Sequence, residues 1–364
     1  MTIITPELTS ELLKHFKDKT KVASYPAYPV STFGDLIRQT ARLSYLNKNY
    51  LLFYRGQSFD HKNKVGNSTF YPSIYRQDYL TQREMIFKFD ILENACEILV
   101  ELFQSKNIEG WADVKKRKLI QWSILQHYEV CETPLMDFTQ SLRVACSFAL
   151  SEIDAKEGYV CVFALPYITN RISVNSEQDI IDIRLLSICP PTAVRPYFQE
   201  GYLAGTSDIT NNYETKTELD FNRRLVAKFK ITNTKAFWGH DFGLMPKSSL
   251  FPLNDPINEL CQGIKSKTQR ALRTGTLGEF LKSWIELEHK ILHAASDYKL
   301  KTNNVRDALR LLFSNNRISQ DQLNIFERLR RYRNMVVHQT VEIQDKETRK
   351  YIQFLDDLMR DLPF

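Results

Sequence analysis

The chain has 364 residues, 43% hydrophobic and 25% charged, the proportions of a soluble folded protein and too long for one typical core. Its net charge of +6 is confined to one end: residues 264–364 hold 19 Lys and Arg against 13 Asp and Glu, leaving 30 against 30 in residues 1–263. No apolar run approaches the roughly 18 residues of a membrane span, the N-terminal stretch lacks a signal-peptide layout, and six scattered Cys with no CxxC pair signal neither a disulfide framework nor a zinc knuckle. A cytoplasmic protein without a membrane partner is expected.

In chain order, residues 1–30 read as an N-terminal extension. Strands are expected at 50–56, 158–165 and 223–231, where short apolar runs are rich in aromatic and β-branched residues. Helices are expected at 83–104 and 115–128, where apolar residues recur every three or four positions. This is an α+β domain, 31–263, closed by a connection at 245–260 that carries three prolines. Beyond it, helical patterns at 276–300, 304–314, 320–339 and 346–362 predict an all-α four-helix-type bundle over 264–364.

The sharpest local signal lies in the third of these helices. Ile325, Leu329, Tyr332 and Val336 form its expected buried stripe, while Arg330, Asn334 and His338 stand four apart on another face with Arg333 beside them. Such a set suits metal-independent RNA cleavage. His338 can exchange a proton with a ribose 2′-hydroxyl or a leaving 5′-oxygen near neutral pH. Arg333 can hold the phosphate, and Asn334 can fix the imidazole. Nothing in the bundle has carboxylates at metal-ligand spacing, so no metal is expected.

The stretch Arg333-Asn334-Met335-Val336-Val337-His338, inside a bundle opened by WIELEHKIL at 284–292, resembles the HEPN family. Its ribonuclease members carry Arg, a polar residue, then His four to six positions after the Arg. The resemblance implies a homodimer with the site at its interface, 2′,3′-cyclic phosphate products, and a role as an anti-phage or toxin protein with a neutralising partner or phage trigger. Glu286 and Glu288 are either further acidic groups of the site or surface charges.

In the first domain, Tyr54-Arg55-Gly56-Gln57, FYPSIYR at 70–76, Gln126-His127-Tyr128, Leu135-Met136-Asp137-Phe138-Thr139 and RPYFQEGY at 195–202 occur in order. Together they resemble the FRG domain, with Phe138 where that family usually has Trp. Arg55 ends an apolar run and can hold phosphate, and Gly56 can let the backbone approach a ligand. Thr139, Gln140 and Ser141 enter a helix and can make an anion site. A buried Asp137 needs a partner among Arg55, Arg143 and Arg195. His127 and Tyr128 can line a cleft.

The layout is also similar to ADP-ribosyltransferases. That likeness implies an NAD pocket with Arg55 on the phosphate, Thr139 or Ser141 in the second role, and Glu200, beside Arg195 and Gln199, orienting the ribose. Three functions are thus in play: a HEPN ribonuclease with FRG as sensor or regulator, an ADP-ribosyltransferase with a dimerising bundle, and a non-catalytic RNA- or partner-binding scaffold.

Overall fold

A computed structural model describes residues 1–77, 82–152, 155–207, 216–240, 242–273, 276–298, 304–338 and 345–363. The chain divides into two compact units, one of residues 1–76 and 95–262, the other of 77–94 and 263–364.

The first unit is mixed α/β and built on one sheet. Its strands are β1 (Tyr28–Pro29), β2 (Leu51–Gln57), β3 (Met136–Thr139), β4 (Glu157–Leu165), β5 (Ile172–Asn175), β6 (Ile180–Arg184), β7 (Gly201–Gly205) and β8 (Leu225–Thr232), in the order β1-β8-β4-β2-β3-β7-β6-β5. β1 and β8 are parallel and the remaining neighbours antiparallel. In β4 every residue from Val160 to Leu165 is buried, as expected of a central strand covered on both faces.

The helix Leu142–Ala149 sits so close to β2 and β4 that only glycine fits beneath it. A Cβ at Gly56 would lie 1.8 Å from the Ala145 carbonyl oxygen, and one at Gly158 would lie 2.3 Å from that of Ala149. The glycine after Arg55 therefore serves helix-on-sheet packing. Phe138 packs with Phe53, Phe163 and Phe221 at ring separations of 5.2–6.5 Å, which explains an aromatic residue at that position.

Three sequence expectations are corrected here. Residues 1–30, expected as an extension to the domain, are part of its core, which Met1, Ile4, Leu12, Phe16, Val22 and Val30 join. The helix expected at 115–128 breaks at Arg117, whose extended backbone separates Trp111–Lys116 from Lys118–His127. The connection expected to run to residue 260 stops earlier. The helix Pro256–Arg273 starts inside it, with proline in the first turn, where a missing N–H costs nothing.

The second unit is helical. Thr276–Ser296, Val305–Ser314, Gln320–His338 and Asp345–Asp361 bury Phe280, Trp284, Leu287, Ile291, Leu312, Phe326, Leu329, Tyr332, Leu355 and Leu358 in one cluster. Trp284 meets Phe326 at 5.0 Å, and Tyr332 stacks on Tyr351 at 3.6 Å. The stripe on Gln320–His338 is therefore Phe326, Leu329 and Tyr332. Ile325, placed in the core from spacing alone, is 38% exposed, and Val336 has its side chain outside the described residues. Among the described residues no helix is long and apolar enough to cross a membrane.

Candidate functional site

β2 and β3 lie side by side with Tyr54 opposite Thr139, and this register brings the separated motifs of the first unit together. Arg55, on β2, donates from Nη1 to the backbone carbonyl of Asp137 at 2.7 Å. The helix Lys118–His127 delivers its last two side chains to the same residue. Gln126 Nε2 donates to Asp137 Oδ2 at 2.7 Å, and His127 Nδ1 lies 3.7 Å from Oδ1.

Arg55, Gly56, His127, Asp137, Thr139, Arg195 and Gln199 all line one cavity of about 170 Å³, together with Tyr54, Gln126, Glu129, Phe138, Phe148 and Gly201. The His127 side chain is buried while that of Asp137 is 40% exposed, so the carboxylate faces the cavity and the imidazole stands behind it. Burial holds His127 below its ordinary pKa, against the pull of Asp137. Burial also works to raise Asp137, but the hydrogen bond and charge of His127, the charge of Arg55 and the Gln126 amide outweigh it and hold the carboxyl low.

The partner found for Asp137 differs from the arginines expected. Arg55 bonds only its backbone, Arg143 donates to the Gly243 carbonyl, and Arg195 pairs with Glu129 at 2.6 Å. Gln126 and His127 take the carboxylate because the end of their helix faces β3.

Other expected site residues are used for structure. Thr139 Oγ1 donates to the Gln199 carbonyl and accepts from Ser141 N–H, while Ser141 caps the helix Leu142–Ala149 through Val144 N–H. The turn proposed as an anion site is therefore filled by its own caps. Tyr128 is fully buried and donates to Asp255 Oδ2 at 2.8 Å, away from the cavity. Gln57 is half-buried outside the cavity lining. Glu200 is exposed, with a left-handed φ of 44°, and does not line the cavity. Of the residues that the transferase likeness implies for NAD, Arg55 and Thr139 line the cavity and Glu200 does not.

Sequence reasoning missed two members. Glu129 lines the cavity just after the Gln-His-Tyr run. Asp255, 1% exposed, ties the cavity's walls to the next helix. Its Oδ2 accepts from Tyr128 Oη and from the N–H groups of Val194 and Arg195, and its Oδ1 accepts from those of Ile257 and Asn258. An Asp directly before Pro in Asn254-Asp255-Pro256 was the available signal for that cap. Burial pushes the Cys131, Cys161 and Cys189 thiols up to about 12.

In the second unit Arg333 is on the helix Gln320–His338 but only 7% exposed, so it is not on an open face as the spacing suggested. Arg330 pairs with Glu327 three residues before it. Glu288 is 1% exposed and Glu286 exposed. The side chains of Asn334 and His338 lie outside the described residues.

No curated protein and no solved structure matches this chain. Residues 51–158 match the family model of the FRG domain, and the strands and helix that carry Arg55, Gln126, His127 and Asp137 therefore form an FRG domain.

Proposed function

We propose that the cavity of the first unit binds a phosphorylated, hydroxyl-bearing small molecule of nucleotide type, and that this binding regulates the second unit. The observation that carries the binding site is Arg55. Among the described residues no carboxylate lies in ion-pair distance of its guanidinium, its Nε has no partner, and burial lowers its pKa. A half-buried guanidinium whose Nε is unpartnered, and which feels the charge of Asp137 without an ion pair to it, is under-satisfied, and proteins retain such groups mainly where a ligand or chemistry uses them. A phosphate is the natural acceptor for a planar guanidinium. The exposed Asp137 carboxylate accepts from a hydroxyl, and the half-buried Tyr54 and Phe148 offer an aromatic wall.

Titration of the whole protein with ADP and with ribose 5-phosphate, followed by calorimetry, tests this. Binding in wild type that weakens at least roughly 30-fold in Arg55→Ala is expected, from the ~2 kcal/mol or more that a buried charge contact carries. Binding unaffected by that change would remove the proposal.

For the second unit the reading remains a HEPN-type, metal-independent endoribonuclease with Arg333, Asn334 and His338 as its catalytic group, acting on RNA as a homodimer in an anti-phage or toxin role. It is supported by the unbroken helix that carries all three residues and by the buried charges Arg333 and Glu288 in that unit. A bundle that only needed to fold would keep few such groups.

A further inference from the structure

We infer that Glu129 is an internal anion that holds Arg195 until an acidic group of the ligand displaces it, so that the ligand carries a second anionic group besides the one on Arg55. This rests on the reading of the cavity as a phosphate-binding pocket. Both Glu129 and Arg195 line that cavity, and their ion pair spans 2.6 Å. The two partners are held very differently.

Arg195 has a side chain only 9% exposed. Its guanidinium lies over the Phe251 ring at 4.6 Å and the Tyr128 ring at 5.8 Å, and its backbone N–H is fixed by Asp255 at 2.8 Å. It keeps its place without Glu129, and its Nε has no partner. Glu129 has a side chain 63% exposed, and among the described residues its carboxylate has this single partner. Its backbone is in the left-handed region at φ 55°, as is common just past a helix end, where Val130 N–H donates to the Leu125 carbonyl and closes the helix Lys118–His127.

Charge points the same way. Arg55, Arg195, Asp137 and Glu129, two cations and two anions, all line the cavity. When Glu129 swings outward the cavity gains one positive charge, at a guanidinium already positioned for two parallel hydrogen bonds. A diphosphate can then reach both cations, whereas a monophosphate satisfies Arg55 alone.

The test is calorimetric titration of the intact wild-type protein and Glu129→Gln with ADP and with ribose 5-phosphate. The expected result is three- to fivefold tighter ADP binding in the variant, the scale of one lost exposed ion pair, with ribose 5-phosphate affinity unchanged. Unchanged or weaker ADP binding overturns the inference and leaves the Arg55 reading standing. Equal tightening for both probes also overturns it, since that is the signature of a general change in charge. If neither probe binds wild type, the pocket reading fails and the inference fails with it.

Discussion

Gly56→Ala should cost the protein at least ~3 kcal/mol of stability, the range of severe core overpacking. The new methyl would sit 1.8 Å from the Ala145 carbonyl oxygen and 2.6 Å from Ala149 N. Both are backbone atoms of the helix Leu142–Ala149, and neither can rotate away as a side-chain tip could. The helix must lift off β2, or β2 must bend. Either movement shifts Arg55 and opens the cavity. Since domains are stable by only about 5–15 kcal/mol, urea denaturation should show the loss directly, as an earlier midpoint at unchanged slope. A midpoint within experimental error of wild type would mean that the helix does not pack on the sheet as described.

On the proposed ribonuclease reading, His338→Ala should lower RNA cleavage by about a thousandfold, within the 10²- to 10⁴-fold span of general acid–base catalysis. Arg333→Lys should lower it by about a hundredfold, because an ammonium cannot replace a guanidinium bidentately on phosphate. Cleavage should persist in EDTA and leave 2′,3′-cyclic phosphate ends, since the proposed mechanism takes the ribose 2′-hydroxyl as nucleophile and side chains as the proton carriers. Inhibition by EDTA, or activity that survives His338→Ala, contradicts this mechanism. The assay should be run with and without ADP, because the pocket reading makes the second unit responsive to ligand.

What was legible in the sequence followed from length and periodicity. The runs at β2, β4 and β8 are long, apolar and bounded by turns, so they announced themselves as strands. The four C-terminal helices show three- and four-residue spacing over two or more turns. β3 could not be found this way, because Met136–Thr139 is four residues long and contains a charge. Yet β3 brings Asp137 to Arg55. The motif residues were visible, but their pairing depended on a register that only the sheet supplies.

The distinction between ligand-facing and structural polar residues was equally hidden. Thr139, Ser141 and Tyr128 are chemically suited to a pocket, but caps and the Asp255 hub consume them. Glu129 carries no pattern of its own, and its role follows from lying beside Arg195, 66 residues away. Ile325 fits the spacing of a core stripe, but the adjacent Phe326 faces inward instead, against Trp284. Periodicity fixes the angular separation of side chains, not which face of the helix meets the core.

The proposed role of Arg55 is to hold a ligand rather than the fold. Urea unfolding of wild type and Arg55→Met, each with and without saturating ADP, tests it most directly. Arg55→Met is expected to be as stable as wild type to within about 1 kcal/mol, because an apolar side chain of similar length replaces a cation that forms no ion pair. ADP is also expected to stabilise wild type, by about 2.7 kcal/mol at a hundred times Kd, and to leave the variant unmoved. A variant that loses about 3–5 kcal/mol, as when one partner of a buried pair is removed, and is still stabilised by ADP would show that Arg55 holds the fold together and that the ligand is bound elsewhere.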